Sequence, residues 1–324
     1  MRNTFLLCIL LIAGVSCWWD GGHMMTAEIA KQEILARNAT LYEQIEKYVT
    51  ILNPLCDARS QDFVQAASWA DDIKDDAMNF WYGWHFYDKP ENPQGLYVIL
   101  DQDNQVYNSI TGIKRAIQEL SRKYYLPLQN NLNISVQQAI MMRLLIHIVG
   151  DMHQPLHNVN MYNYTYTQGD LGGNKEKILL LNKTSMILHS YFDSGATRLD
   201  SFPRPLTQEK LSNLSALAYE FRAQYPRSYF GQRMNVTTPE QWAQESYDIA
   251  HNFIYPFVTK TNQITPEWDT ESYEIIKQQL ALGGYRLADI LLGIFQNQTA
   301  PVNQTKSTNT QTNSTSNLRK TIIA

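Results

Sequence analysis

Cysteine is nearly missing from this 324-residue chain: there are three, and Cys8 and Cys17 fall within the first seventeen residues. A disulfide scaffold and a cysteine-rich zinc finger are therefore excluded, and any metal must be held by His, Asp and Glu. A cationic excess is missing too. With 27 Lys plus Arg against 31 Asp plus Glu, the formal net charge is −4. No broad basic surface exists to grip duplex DNA by its phosphates, which argues against a transcription factor. Long hydrophobic runs are also lacking, since Phe5 to Val15 is about half of the roughly 20 residues that a membrane-spanning helix needs. What is present is 44% hydrophobic and 18% charged content, enough to bury a sizeable core and too apolar for intrinsic disorder.

The N-terminus reads as a secretory signal over residues 1–17. Arg2 supplies the positive charge, Phe5 to Val15 the apolar run and Val15-Ser16-Cys17 the small residues before a cut. A membrane anchor and a lipoprotein cut before Cys17 fit less well. Cleavage after Cys17 gives a mature chain beginning Trp18-Trp19-Asp20-Gly21-Gly22-His23, with Cys56 as its only thiol. Glycosylation acceptors at Asn38, Asn133, Asn163, Asn182, Asn213, Asn235, Asn297, Asn303 and Asn313 also point to the secretory pathway. The expected destination is the outside of the cell, or a lysosomal or vacuolar lumen.

Apolar residues recur at spacings of three and four almost throughout, which predicts an all-α fold. Helices are expected over about 24–36, 41–52, 60–73, 107–123, 134–152, 185–198, 207–224, 239–262 and 270–295. The stretch 159–184, with Tyr162, Tyr164 and Tyr166 and then Gly172-Gly173-Asn174, reads as a loop or short hairpin between helices. Those tyrosines either stack bases of an unwound strand or form an ordinary aromatic loop beside Asn163. From Asn297 the composition turns to Thr, Asn, Ser, Gln and Lys, which predicts a disordered tail over 297–324 behind a single helical domain over 18–296.

The chemistry concentrates in Leu144 to His157. On a helix, His147 and Asp151 are four apart and share a face with Ile140 and Leu144. An unpaired carboxylate on a buried face costs several kcal/mol, so Asp151 needs a hydrogen-bonded cation or a metal. A hydrogen-bonded core His–Asp couple would answer that need on its own. However, His189 and Asp193 repeat the spacing on a second apolar segment, and His157 follows Pro155, which must end or kink the first helix. Zinc takes His nitrogen and Asp oxygen where thiolates are absent. Upstream, Trp69-Ala70-Asp71-Asp72-Ile73-Lys74 ends a helix with carboxylates and a cation, and His85 sits among aromatic residues. A freed Trp18 would add an α-amine with a pKa of about 7.7–8, whose proton a metal can displace near neutrality. His23, five residues on, is close enough to complete that site.

These motifs, in this order, resemble those of the zinc-dependent class I nucleases or 3′-nucleotidases, the single-strand-specific enzymes of the mung bean nuclease type, over residues 18 to about 295. The resemblance implies the mainly helical domain of the zinc-dependent phospholipase C and nuclease type, with three zinc ions. One would be held by Asp71, His85, His147 and Asp151, a second by His157, His189 and Asp193, and a third by the amine and carbonyl of Trp18 with His23 and a shared Asp151. Lys74 matches the cation beside the scissile phosphate, and Asp88 a carboxylate that reads the nucleobase. His153 and His251 match no ligand. The implied activity is endonucleolytic hydrolysis of single-stranded RNA and DNA to 5′-phosphate products by a zinc-activated water, with 3′-nucleotides as further substrates and no stable protein partner. Three zinc ions against three aspartates would make one cationic cleft in an acidic protein. Two departures stand out. Cys56 alone cannot form the disulfides of fungal and plant members, and Ser194 follows Asp193 where some members place Asn. A zinc-dependent phospholipase C places its first His further from the N-terminus and ends in His-x-x-x-Glu. A non-catalytic zinc-binding protein would hold metal without turnover.

Overall fold

A computed structural model of the protein describes residues 18–75, 79–100, 102–122 and 134–299. The helices in chain order are α1 (Asp20–Thr50), α2 (Trp69–Asp75), α3 (Gln102–Val106), α4 (Ser109–Leu120), α5 (Val136–Met152), α6 (Leu188–Asp193), α7 (Gln208–Gln224), α8 (Pro239–Ile249), α9 (Tyr255–Val258) and α10 (Pro266–Thr299). Among the described residues, strand is confined to β1 (Pro90–Glu91), parallel to β2 (Asn160–Met161), and the hairpin of β3 (Lys177–Leu179) with β4 (Ser185–Ile187). The fold is all-α. Among the described residues, no helix is long and apolar enough to cross a membrane.

Helix α5 is the axis of the molecule. It starts at a reciprocal cap, in which the Gln138 amide donates to Ser135 Oγ at 3.0 Å and the Ser135 amide donates to Gln138 Oε1 at 3.2 Å. Every residue from Met142 to Met152 is buried, because α1, α4 and α10 pack around it. Arg143 is buried within this apolar helix and donates to the carbonyls of Ser60 (2.8 Å) and Val49 (2.9 Å) and to Asn53 Oδ1 (2.9 Å). The segment leading into α2 is thereby fastened to α5, one turn from His147.

Several element boundaries differ from expectation, each for a local reason. The predicted helices at 24–36 and 41–52 form one element broken at Asn38 (φ −162°, ψ 89°), whose Oδ1 accepts from the Leu41 amide at 3.0 Å and caps the second half. The predicted helix at 60–73 is 3₁₀ turns over Ala58–Ser60 and Gln65–Ser68, and only Trp69–Asp75 is α-helical. Asp62 Oδ1 accepts from the amides of Val64 and Gln65, which satisfies them in a turn. The predicted helix at 185–198 begins at Leu188, since Ser185–Ile187 pairs in the hairpin. The predicted helix at 239–262 passes through a π turn at Ala250–Ile254 before Pro256. A proline there has no N–H for the preceding turn, and the wider turn absorbs the fault. Helix α10 extends through Thr299, past the expected start of the tail, while residues 300–324 and the signal at 1–17 lie outside the described residues.

Candidate metal centre

Six segments bring their polar side chains to the C-terminal end of α5. The first turn of α1 supplies His23, α2 supplies Asp71 and Lys74, and the 3₁₀ turn Asn79–His85 ends on His85. The last turns of α5 supply His147 and Asp151, the 3₁₀ turn Pro155–Asn158 supplies His157, and α6 supplies His189 and Asp193. All are buried except Asp71 and Lys74, which are partly exposed. Asp151 is the hub: its oxygens lie 3.0 Å from His147 Nε2, 3.1 Å from His85 Nδ1, 3.4 Å from His23 Nε2 and 3.6 Å from His157 Nδ1. Asp71 lies 3.5 Å from His23 and 3.6 Å from both His85 and His147. At the other end, His189 Nε2 is 3.4 Å and His157 Nε2 3.8 Å from Asp193. The result is three adjoining groups able to hold a metal ion: His23, His147 and Asp151; Asp71, His85 and His147; and His157, His189 and Asp193.

Backbone carbonyls orient the rings. His147 Nδ1 lies 2.6 Å from Ala67 O, His157 Nδ1 2.8 Å from His85 O and His189 Nδ1 2.7 Å from Gly172 O. Each contact fixes a proton on Nδ1 and turns Nε2 toward the cluster, so that in the neutral ring Nε2 is the nitrogen that presents a lone pair, as a metal ligand requires. Two glycines make this geometry reachable. A Cβ at Gly150 would come 3.1 Å from His23 Nδ1, and Gly172, at φ +60°, would drive a Cβ to 2.2 Å from Leu156 O.

The ring nitrogens then crowd one another: His147 Nε2 is 2.8 Å from His85 Nδ1, and His189 Nε2 is 3.1 Å from His157 Nε2. Both nitrogens of His23, Asp151 Oδ1 and Asp193 Oδ2 are buried without a hydrogen-bond partner. Orphaned acceptors at such density are costly unless a cation completes them, and imidazole with carboxylate is the donor set that zinc accepts. The residues therefore fit a metal cluster.

The titration of these groups follows from mutual proximity. Burial pushes Asp71 and Asp151 upward, but Lys74 and His147 outweigh it at Asp71, and His147, His157 and His23 at Asp151, holding both carboxylates well below their usual range. Burial and Lys74 pull His85 down to about 3. Burial also lowers His157, yet Asp151 and Asp193 overcome it and push that ring up to about 9.

Lys74 Nζ lies 2.5 Å from Asp71 Oδ1 at the exposed edge of the cluster. Asp88 stands in a narrow cavity of about 50 Å³ with Tyr82, Phe86 and Leu171, and this cavity opens on His157 and His189. His153 is absent from the cluster: its Nδ1 lies 2.7 Å from Val149 O and its Nε2 3.0 Å from Arg286. His251 is half exposed and sits 2.7 Å from Glu91. Of the three tyrosines, Tyr162 is buried, Tyr166 donates to Glu176 at 2.8 Å and only Tyr164 projects into solvent. Ser194 is buried, its hydroxyl donating to Tyr191 O at 3.0 Å. One contributor escaped the sequence reading. Gln154 donates to Asp193 Oδ1 at 2.7 Å and fixes that carboxylate from behind, and an isolated Gln beside a proline carries no signal of such a role.

A helical domain whose central helix ends in three linked His/Asp groups defines a class, and comparison with known families agrees: residues 18–296 match the S1/P1 Nuclease model, so the chain belongs to that family of nucleases. It is similar to Endonuclease 3 of Arabidopsis thaliana, with 26% identity over 298 residues covering 90% of this chain and 94% of the relative. Nuclease P1 of Penicillium citrinum is 25% identical over 290 residues, covering 84% and 96%. Nuclease S1 of Aspergillus oryzae is 23% identical over 290 residues, covering 84% and 89%.

Proposed function

We propose that this nuclease is a zinc-dependent phosphodiesterase that cuts single-stranded RNA and DNA to 5′-phosphate products and removes the phosphate of 3′-nucleotides. The observation that carries the reading is the convergence of His23, Asp71, His85, His147, Asp151, His157, His189 and Asp193 into three linked groups with unsatisfied buried acceptors. Asp71, His85, His147 and Asp151 would hold one ion, His157, His189 and Asp193 a second, and His23, Asp151 and the amine and carbonyl of Trp18 a third. Zinc bound there supplies Lewis acidity, which makes water nucleophilic at neutral pH and neutralises charge on the phosphate and the leaving 3′-oxygen.

The remaining roles belong to the chain itself. Lys74, on the exposed edge beside Asp71, meets a non-bridging phosphate oxygen as negative charge builds there. Asp88 reads the base of the nucleoside that carries the 3′-oxygen, with Phe86 beside it in the cavity. A recessed centre with a narrow base cavity demands that sugar and base splay apart, which a flexible strand does and a stacked duplex resists. At the N-terminal end, Trp18 Nε1 donates to Gly150 O at 2.9 Å and the Trp19 amide donates to Asp193 O at 3.1 Å. These tethers hold the start of the described chain against ligand-bearing segments. Signal removal after Cys17 would therefore create the last ligand. Secretion, or delivery to a lysosomal or vacuolar lumen, accords with acceptors on the surface, where Asn182, Asn213 and Asn235 are exposed. The test is mass spectrometry of products from a defined RNA oligomer incubated with zinc-loaded protein. Ends bearing 5′-phosphate and 3′-hydroxyl are expected; 3′-phosphate or cyclic 2′,3′-phosphate ends, or hydrolysis of phosphatidylcholine in place of RNA, would overturn the reading.

A further inference from the structure

The metal centre touches two cavities at different ends. The narrow one holds Asp88 and borders His157 and His189. The other, about 370 Å³, borders Asp71 and Trp18 and is walled by Trp19, Phe202, Arg59 and Arg204. Its volume falls within the range of small-ligand sites, whereas the first admits little more than one planar group. A phosphodiester carries a nucleoside on each of its two ester oxygens. A 3′-mononucleotide carries only one. If the nucleoside that keeps the 3′-oxygen lies in the Asp88 cavity, the strand beyond the phosphate must leave past Asp71, and the larger cleft is what it meets there.

Its walls suit that occupant. Trp19 and Phe202 offer apolar and aromatic surface for a base. Two of the cleft's carboxylates are already matched: Arg204 binds Asp20 at 2.7 Å and Asp72 at 2.8 Å, and Arg59 lies 3.4 Å from Asp72. The Arg204 side chain is only 3% exposed, and its buried Nε has no hydrogen-bond partner among the described residues, so that Arg204 braces the wall from within. Arg59 is about half exposed, with Nε 2.9 Å and Nη2 2.8 Å from Asp57 Oδ2. A guanidinium has five N–H groups; those of Arg204 are taken up by Asp20, Asp72 and the Arg59 carbonyl or buried, whereas the contacts of Arg59 leave donors over for a phosphate.

We infer that the cleft bounded by Trp19, Arg59, Phe202 and Arg204 is a subsite for the nucleotide on the phosphate side of the scissile bond, with Arg59 taking that nucleotide's own 3′-phosphate. The inference rests on the reading of the cluster as a phosphodiester-hydrolysing centre. It separates the two activities proposed for that centre, since strand cleavage uses both cavities and 3′-nucleotide dephosphorylation only one.

The experiment compares a single-stranded tetranucleotide with a 3′-mononucleotide, using wild type and Arg59→Ala. The variant is expected to lose roughly ten- to a hundredfold in kcat/KM on the tetranucleotide, the loss of one charge-assisted contact, while 3′-mononucleotide turnover and melting temperature stay unchanged. Fluorescence anisotropy with a phosphorothioate tetranucleotide should show the same loss as weaker binding. Equal losses on both substrates, or no loss on either, would overturn the subsite. Wild-type protein can be tested alone, with a dinucleoside monophosphate against the matching nucleoside 3′-methylphosphate, two diesters that share one leaving oxygen. Faster cleavage of the dinucleoside supports the subsite, and equal rates contradict it. Cleavage of no phosphodiester or 3′-nucleotide by the zinc-loaded wild type would instead bring down the underlying function and the subsite with it.

Discussion

His147 and His153 belong to the same stretch of chain and are equally buried, yet they end in opposite circumstances. His153 is closed by the protein: it donates to Val149 O, accepts from Arg286, and Arg286 in turn binds Glu245 at 2.9 Å. Burial and the guanidinium hold the His153 pKa well below its usual value, so the ring stays neutral. His147 is met by Ala67 O and Asp151, and the closure fails one group further out, among the atoms beside it. Among the described residues, Lys74 is the one lysine or arginine ion-paired with a carboxylate of the cluster, and that carboxylate is Asp71. Asp151 and Asp193 each keep a buried oxygen without a donor. A buried histidine is thus identified as structural or metal-binding less by its own burial than by what completes the polar atoms beside it.

The comparison is broken most forcefully by substitution. His147→Ala and Asp151→Ala should abolish turnover, whereas His153→Ala should keep most of it and lose about 2–4 kcal/mol of stability through the unpaired Arg286 and the cavity left behind. Steady-state kinetics beside denaturant unfolding decides the matter; equal inactivation by all three in folded, metallated protein would erase the distinction. Lys74→Ala comes next, with kcat lowered roughly a hundredfold and substrate affinity changed far less, because its charge counts most in the transition state. Gln154→Ala should weaken metal binding at the His157, His189 and Asp193 group by about tenfold, measured by competition with a chromophoric chelator. An unchanged affinity would deprive Gln154 of its positioning role.

The protonation of His157 gives the comparison a pH dependence. Its folded pKa of about 9 lies above the ordinary value of 6.5. In metal-free protein its proton therefore contributes stability that is complete below about pH 6.5 and lost as pH rises through about 9. Metal needs the neutral ring, so affinity should fall by roughly tenfold for each unit of pH below 9, with proton release on binding. Titration calorimetry in buffers of different ionisation enthalpy reads that release directly, and none at pH 7.5 would contradict the assigned charge. The smallest effect is expected from Asp88→Asn, which should change the preference among bases by less than about tenfold and leave the overall rate on the favoured base nearly intact.

Much of this site is visible in the sequence because helical spacing carries it. His147 with Asp151 and His189 with Asp193 are four apart, and Pro155 marks where α5 must stop; these relations are local. The features that were not visible are relations between distant backbones. Nothing in the side-chain pattern shows that the carbonyls of Ala67, His85 and Gly172 will aim three imidazoles, or that Arg143, placed in an apolar run, will reach back to Val49 and Ser60. Helix limits failed where a side chain competed with the helix for backbone amides, as Asp62 and Asn38 do, or where Pro256 forced a wider turn. Residues 185–187 match a helical period equally well, and only pairing with 177–179 makes them strand.

The claim beneath all of this is that the orphaned nitrogens and oxygens around Asp151 are metal ligands. Elemental analysis of the purified wild-type chain, run beside thermal unfolding and turnover before and after chelation, tests it most directly. Three zinc ions per chain are expected, kept by His153→Ala and reduced in Asp151→Ala, with melting temperature and turnover falling together as zinc is withdrawn. Full turnover and an unchanged melting temperature in a chain shown to be free of metal would contradict it.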